Sequence, residues 1–191
     1  MRIYLLMAHP DRDSFDGAIA NTYQAAALAA GHQLERQDLA SMDFDPILHH
    51  GYKTIQPLEP DLVHAQELIA WCERWVIVYP VWWGSVPALL KGFFDRTLLP
   101  GQAFRPHDSD PGWDKLLAGR SGQLFVTSDA PNIWTWLAYH NSDVRTVKHA
   151  VLQFCGVKPV QVTRFAEIKS STEAQRAAYL ERVRVMAARI R

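Results

Sequence analysis

Two kinds of hydrophobic pattern alternate along the chain, and they predict a series of strands and helices. Short, nearly continuous apolar runs such as residues 3–8 are typical of strands buried on both faces. Between these runs, apolar residues recur every three or four positions, which is typical of helices that pack on a sheet. The predicted strands are residues 3–8, 32–38, 75–79, 121–127 and 157–165, and the predicted helices are residues 16–30, 61–73, 86–99, 142–155 and 171–191.

Strands that alternate with helices predict a three-layer α/β domain built on a parallel sheet. We expect a flavodoxin-like, doubly wound sheet of five strands in the order 2-1-3-4-5. No repeat or linker interrupts the pattern, so a single domain over residues 1–191 is expected. In such sheets, ligands bind beyond the carboxyl ends of the strands, where the strand order reverses. The loops after the first and third predicted strands meet at that point.

Composition and charge narrow the possible functions. Twenty basic and twenty acidic residues give a net charge of zero, which provides no electrostatic basis for binding nucleic acid. Cys72 and Cys155 lie in apolar surroundings and are expected to be buried free thiols. The first apolar run is too short to span a membrane, and no cleavage site follows it. We therefore expect a cytoplasmic protein, and the scattered histidines, which lack ligand spacing, predict no metal site.

The loop after the first strand can bind an anion. Ser14 or Asp13 can cap the helix that follows, and the free N–H groups of a helix start attract negative charge. We expect His9, Ser14 and the backbone near Phe15 to hold a phosphate or pyrophosphate. An interpretation of equal weight makes Ser14 a simple cap and His9 a surface residue. No G-x-G-x-x-G or P-loop motif follows, which argues against those nucleotide folds.

The loop after the third strand places two tryptophans between a proline and a glycine. Pro80 fixes its own φ and Gly84 permits a close backbone approach, so Trp82 and Trp83 can form a wall for a planar ligand. Alternatively, the two rings fill a core or a subunit interface. An aromatic wall beside an anion-binding loop predicts a flavin nucleotide.

Four stretches of the chain, in order, resemble segments of a known family. The longest is YPVWWGSVPALLKGFFDRTLLPGQAF, which follows the pattern P-x-x-W-x-x-x-P-A-x-L-K almost throughout its length and beyond. The shorter ones are AHPDRDSFDGAIAN, SMDFDPIL and VLQFCGV, and the four span roughly residues 1 to 160. The chain resembles the flavodoxin-fold NAD(P)H:quinone oxidoreductases of the DT-diaphorase type, whose relatives include bacterial potassium-efflux regulatory proteins.

The resemblance implies that a flavin binds at the two loops, with FAD expected and FMN as the close alternative. His9, Ser14 and Phe15 would hold its phosphate end. The ring and ribityl chain would lie along the second loop, at Pro80, Val81, Trp82, Trp83 and Gly84.

A third loop departs from the pattern of the family. Thr127, Ser128 and Asp129 stand where many members carry T-T-G-G, although a similar T-x-D-x-P occurs in some bacterial members. We expect these three residues to contact the cofactor. Asp16 stands where Asn is common, and we expect its carboxylate to point away from a bound pyrophosphate, because like charges repel.

The resemblance also implies an activity. NAD(P)H would reduce the flavin and leave, and a quinone-like acceptor would then use the same space in a ping-pong reaction. Tyr139 and His140 are the candidate catalytic proton donors, although both could simply pack or face solvent. Trp134 and Trp136 would wall the substrate pocket or cover an interface. We interpret Asp95 and Arg96 as a helical or interface charge pair.

We expect a homodimer, because relatives build the pocket across two subunits. Two other classes of function stay open. One is a flavin-binding regulatory subunit with little catalytic role, whose transient partner would be a membrane transporter. The other is a hydrolase that uses Ser14 and His9, although no G-x-S-x-G elbow is present.

Overall fold

The predicted parallel sheet forms the centre of the protein. The computed structural model describes residues 1–190. Its strands are β1 (Arg2–Met7), β2 (Gln33–Asp38), β3 (Arg74–Pro80), β4 (Phe104–Pro106), β5 (Trp113–Lys115), β6 (Ser121–Thr127) and β7 (Val160–Phe165). Five of these strands pair in parallel in the order β2-β1-β3-β6-β7, and β4 and β5 form a separate antiparallel hairpin. The predicted flavodoxin-like order is therefore confirmed.

Helices cover both faces of the sheet. They are α1 (Phe15–Ala29), α2 (Pro60–Trp71), α3 (Ala88–Thr97), α4 (Asn132–Tyr139), α5 (Ser142–Arg145) and α6 (Glu173–Ala188). On one face, Ile3 and Leu5 of β1 lie in a core shared with α1 and α6. On the other face, Tyr4 and Leu6 lie in a core shared with α2 and α3. Because successive residues of β1 enter opposite cores, this strand is apolar almost throughout.

Three segments differ from the prediction. The helix expected over 142–155 begins as α5 and continues as a π-helix, Thr146–Gln153. The last strand begins at Val160 rather than 157, since Pro159 has no N–H group to offer the ladder. The segment 100–113, which contains many Pro, Gly and Asp residues, contains β4 and ends where β5 begins, and the Trp113 ring of β5 stacks on Phe154 with centroids 4.5 Å apart.

The long excursion between β2 and α2 is tied to helix α3 by a buried side chain. The Arg96 guanidinium is fully buried and donates to the Pro57 carbonyl at 2.8 Å and to the Glu59 carboxylate at 2.9 Å. It also donates to the Asp45 carbonyl. The interpretation of Asp95 and Arg96 as a charge pair is therefore wrong.

Two neighbours of Arg96 on α3 complete this arrangement. The Asp95 carboxylate pairs instead with Lys91, whose Nζ lies 2.7 Å away at the surface. Gly92 faces the excursion, and a Cβ at this position would overlap Pro46. Thus α3 uses a glycine and a buried arginine to hold the excursion closely.

Within residues 1–190, no helix combines the length and the apolar character that a membrane span requires. The same residues contain no group of three His, Cys, Asp or Glu side chains that could hold a metal ion.

Candidate functional site

A cleft of about 380 Å³ opens at the carboxyl ends of β3 and β6. It is formed by the loops after β1, β3 and β6 together with α4. It brings together ten of the candidate residues: His9, Pro80, Val81, Trp82, Trp83, Gly84, Thr127, Ser128, Asp129 and Tyr139. A larger surface groove, of about 540 Å³, lies between α1 and α6, but alanine forms most of its lining. The smaller cleft is the one in which polar, aromatic and backbone groups converge.

Three candidate residues lie outside the lining of the cleft. Ser14 caps α1, and its hydroxyl accepts the Gly17 N–H at 3.3 Å. Phe15 turns its ring into the core beside Phe165, with centroids 6.5 Å apart, so only its backbone can serve a ligand. His140 is exposed and follows α4 in a left-handed conformation, with φ of 50°.

The loop after β1 closes tightly over the start of α1. A Cβ at Gly17 would overlap the Arg12 carbonyl oxygen, so only glycine allows this approach. The Nδ1 atom of His9 lies 2.9 Å from the backbone nitrogen of Asp11 and 3.1 Å from its carbonyl oxygen, so the imidazole is held against the loop. The loop therefore combines a helix N-terminus with an imidazole ring.

The two tryptophans occupy a tight turn at the end of β3. Trp82 and Ser85 exchange both backbone hydrogen bonds at 3.0 Å. Trp83 and Gly84 between them have φ of 52° and 68°, the left-handed values of a two-residue turn with inverted dihedral angles. Such a φ costs a non-glycine residue about 1 kcal/mol. The Trp83 side chain is nevertheless fully exposed, so burial of its ring within the chain does not offset this strain.

This turn offers both flat surfaces and hydrogen-bond donors. The Trp82 ring meets the His9 ring edge-on, with centroids 5.5 Å apart. The N–H groups of Trp83 and Gly84 have no acceptor among residues 1–190. A planar ligand with acceptor atoms along one edge could therefore lie against the turn.

The third loop presents backbone donors in place of side chains. The Asp129 carboxylate accepts the Lys169 N–H at 3.0 Å, and the Ser128 hydroxyl donates to the Ala130 carbonyl at 3.0 Å. The N–H groups of Asp129 and Ala130 have no acceptor in the described part of the chain. The Thr127 carbonyl accepts the Val81 N–H at 2.8 Å and so fixes this loop beside the tryptophan turn.

Helix α4 forms the outer wall of the cleft, in a segment that the sequence indicated to be a loop. The ring of Tyr139 covers Gly84, where a Cβ would lie 3.1 Å from the ring. The Ser142 hydroxyl donates to the Gly84 carbonyl at 2.7 Å, so the corner after α4 is fastened to the tryptophan turn. Trp134 lines the cleft, whereas Trp136 is not among its lining residues.

Sequence reasoning singled out Asp16 but missed its contact. Its carboxylate is almost fully buried, and one oxygen accepts the Thr127 hydroxyl at 2.8 Å. The other oxygen, Oδ1, has no partner among residues 1–190. Burial raises the pKa of Asp16 to about 7, although the Thr127 hydrogen bond and its own backbone N–H oppose the effect. A titratable group thus links the start of α1 to the end of β6.

Comparison with known proteins places the chain in a family. The family model described as the flavodoxin-like fold matches residues 1–187. The chain belongs to this family. An uncharacterized NAD(P)H oxidoreductase of Escherichia coli, YcaK, is 34% identical over 168 residues, which are 79% of this chain and 85% of that protein.

A further relative and a solved structure that are similar to this chain carry more specific names. Ribosyldihydronicotinamide dehydrogenase [quinone] of Pongo abelii is 28% identical over 90% of this chain and 85% of its own length. The structure of an NAD(P)H:quinone oxidoreductase from Methanothermobacter marburgensis superimposes with a TM-score of 0.80 at 24% identity, over 98% of this chain and 94% of that one. This structural likeness shows the fold that the family shares.

Proposed function

We propose that this protein is a flavin-dependent NAD(P)H oxidoreductase that reduces a quinone or a similar small acceptor. The observation that carries the proposal is the cleft, where His9 of the loop after β1, the tryptophan turn and backbone N–H groups without acceptors among residues 1–190 converge. Relatives named as NAD(P)H oxidoreductases and as a quinone dehydrogenase support the reaction class. Both buried cysteines are free thiols, which fits a cytoplasmic location.

The cleft, together with the start of α1 outside its lining, fits a flavin nucleotide. The start of α1 with Ser14 and the Phe15 backbone would hold the phosphate end. The unpaired N–H groups of Trp83, Gly84, Asp129 and Ala130 would meet the acceptor atoms of the ring. FAD is the expected form and FMN the alternative. When bound, the flavin would accept a hydride from NAD(P)H and deliver reducing equivalents to the acceptor, in a ping-pong sequence.

The protein contributes binding, orientation and charge stabilisation. Backbone N–H groups at residues 129–130 can stabilise negative charge that develops on the ring, because they are held in place before the reaction begins. Tyr139 lies in the lining and is the better placed of the two proposed proton donors. His140 follows directly after α4, is exposed and lies outside the lining.

A spectrum of the purified protein tests the proposal. We expect the yellow absorption bands of flavin, bleached by NADH or NADPH under anaerobic conditions and restored by a quinone. Release of the cofactor by denaturation, followed by chromatography, distinguishes FAD from FMN. Absence of flavin binding after reconstitution would refute the function. Bound flavin that NAD(P)H does not reduce would favour the regulatory alternative instead.

Trp82→Ala should weaken flavin binding about tenfold, or by ~1.4 kcal/mol, because it removes one aromatic wall of the cleft. Fluorescence titration of the apoprotein measures this affinity. Tyr52→Ala is the matched control, since its ring is exposed in the excursion between β2 and α2 and lies outside the lining. Equal losses in the two variants would argue against the turn as the ring-binding surface.

We also propose a homodimer. Helix α4 leaves Ile133, Trp134, Trp136 and Leu137 largely exposed beside the cleft, and such an apolar surface is typical of protein interfaces. Size-exclusion chromatography with light scattering should give twice the chain mass of 21.7 kDa. A monomer over a wide concentration range would contradict the proposal.

A further inference from the structure

The position of Asp16 raises a question about charge at the phosphate-binding loop. Asp16 lies in the first turn of α1, two residues after the Ser14 cap, so a phosphate bound at this helix start would lie near a buried carboxylate. A helix N-terminus stabilises an anion through its N–H groups and dipole. A second negative charge in the same turn, shielded from water, competes for that stabilisation.

The surroundings of Asp16 offer little compensation for its charge. The donors to its carboxylate are both neutral, namely the Thr127 hydroxyl and its own backbone N–H, and Oδ1 has no partner among residues 1–190. Burial is the dominant cause of the raised pKa of Asp16, and no charged side chain is among its causes. Protonation of Oδ1 would remove the free-energy cost of burying an anionic oxygen that has no hydrogen-bond partner.

Charged groups on the neighbouring elements are engaged elsewhere. Arg12, on the same loop, donates to Asp38 of β2 at 2.8 Å. His9 is bonded to the Asp11 backbone at 2.9 Å. Arg176 of α6 donates to the Ser171 hydroxyl at 2.8 Å and lies over the Phe15 ring. None of these three side chains makes a salt bridge with Asp16.

We propose that protonation of Asp16 controls the affinity of the loop for a flavin phosphate and its choice between FAD and FMN. The carboxylate must be neutral for the loop to bind the phosphate tightly. Affinity for the cofactor then falls as the pH rises from 6 to 8. A doubly charged monoester, as in FMN, is disfavoured more than the singly charged diester phosphates of FAD, because the repulsion grows with ligand charge. This inference rests on the proposed flavin binding and concerns the same site. Asp16 affects cofactor binding through its position and its charge, and it takes no part in a chemical step.

The test measures the affinity of FAD, FMN and riboflavin for the apoprotein at pH 6, 7 and 8. For the native protein, FAD affinity should fall about tenfold over this range, and FMN affinity should fall further. Riboflavin, which has no phosphate, should bind equally at all three pH values. Asp16→Asn keeps the size of the side chain and an acceptor for Thr127, and should reduce the pH effect on FAD to less than twofold. It should also reduce the ratio of FAD affinity to FMN affinity at pH 8.

The matched control is Asp13→Asn, which removes an exposed carboxylate from the same loop. It should change the FAD affinity by the same factor at each pH and leave the pH effect in place. A pH effect on FAD that is undiminished in Asp16→Asn would overturn the proposal, and so would an equal pH effect on riboflavin. Failure of every variant to bind any flavin would refute the proposed function together with this inference, whereas binding that is independent of pH would refute the inference alone.

A measurement without ligand provides a second readout. In the unfolded chain Asp16 ionises near its ordinary pKa of 3.8, whereas burial raises its pKa to about 7 in the folded protein. The folded state therefore binds this proton more tightly, and its stability falls as the pH rises from about 4 to about 7. Asp16→Asn should be more stable than the native apoprotein at pH 7.5, with the difference vanishing near pH 4. Parallel melting-temperature profiles for the two proteins would overturn the proposal.

Discussion

Replacing Arg96 with alanine is expected to lower the free energy of unfolding by about 3 to 5 kcal/mol. The buried guanidinium donates to the Pro57 carbonyl and the Glu59 carboxylate, and both acceptors lose this donor when it is removed. The excursion between β2 and α2 would then lose its hydrogen bonds to this side chain of α3 and keep only packing contacts such as Gly92 against Pro46. Chemical denaturation followed by circular dichroism measures the change.

Lys91→Ala is the matched control for Arg96. Lys91 lies on the same helix and pairs with Asp95 at 2.7 Å, but this pair is exposed and contributes at most about 1 kcal/mol. Arg96→Lys should remain strongly destabilised, because an ammonium cannot reproduce the planar fork that reaches several acceptors. A similar small loss in Arg96→Ala and Lys91→Ala would contradict the role assigned to the buried side chain.

Gly17→Ala is expected to reduce FAD affinity by about two orders of magnitude, since a hydrogen bond to a charged group contributes about 1.5 to 3 kcal/mol and the displaced loop would lose at least one such bond to the phosphate. The added Cβ would overlap the Arg12 carbonyl oxygen, so the loop after β1 must move away from the start of α1. Riboflavin affinity should fall much less, because the loop is proposed to hold the phosphate. Fluorescence titration with both ligands gives the ratio.

Leu28→Ala provides a control on the same helix, at an exposed position near its end. It should leave both affinities unchanged. Circular dichroism will show whether Gly17→Ala remains folded, since overpacking alone typically costs about 1 to 3 kcal/mol. Equal losses of FAD and riboflavin affinity in a folded variant would show that the loop does not act on the phosphate.

The sheet and the position of the cleft could be predicted because they depend on patterns that are local in sequence. Residues 3–8 and 75–79 are apolar throughout, and burial on both faces is the physical reason. Once two neighbouring strands lead to helices on opposite faces, their loops must separate and leave a crevice. The tryptophan turn and the loop before α1 therefore meet where the sequence indicated.

Contacts that join distant parts of the chain could not be predicted in the same way. The sequence around Arg96 predicts a surface charge on a helix. Its partners lie 37 or more residues earlier in the chain, so the local pattern does not indicate them. Helix α4 was missed because its large side chains face outward, so the segment lacks the buried stripe on which helix prediction depends. The inward turn of Phe15 likewise depends on Phe165, at the far end of the chain.

Because the backbone of Trp83 is left-handed, stability and the proposed ligand binding favour different residues at this position. Asparagine or glycine would adopt this φ more readily, so either substitution should make the fold itself more robust while removing a ring from the mouth of the cleft. Directed evolution that selects only for heat resistance should therefore discard the indole, whereas selection for turnover should retain it. In a pooled library, the frequency of Trp83 after each of the two selections would show how much stability the fold loses by keeping this exposed ring.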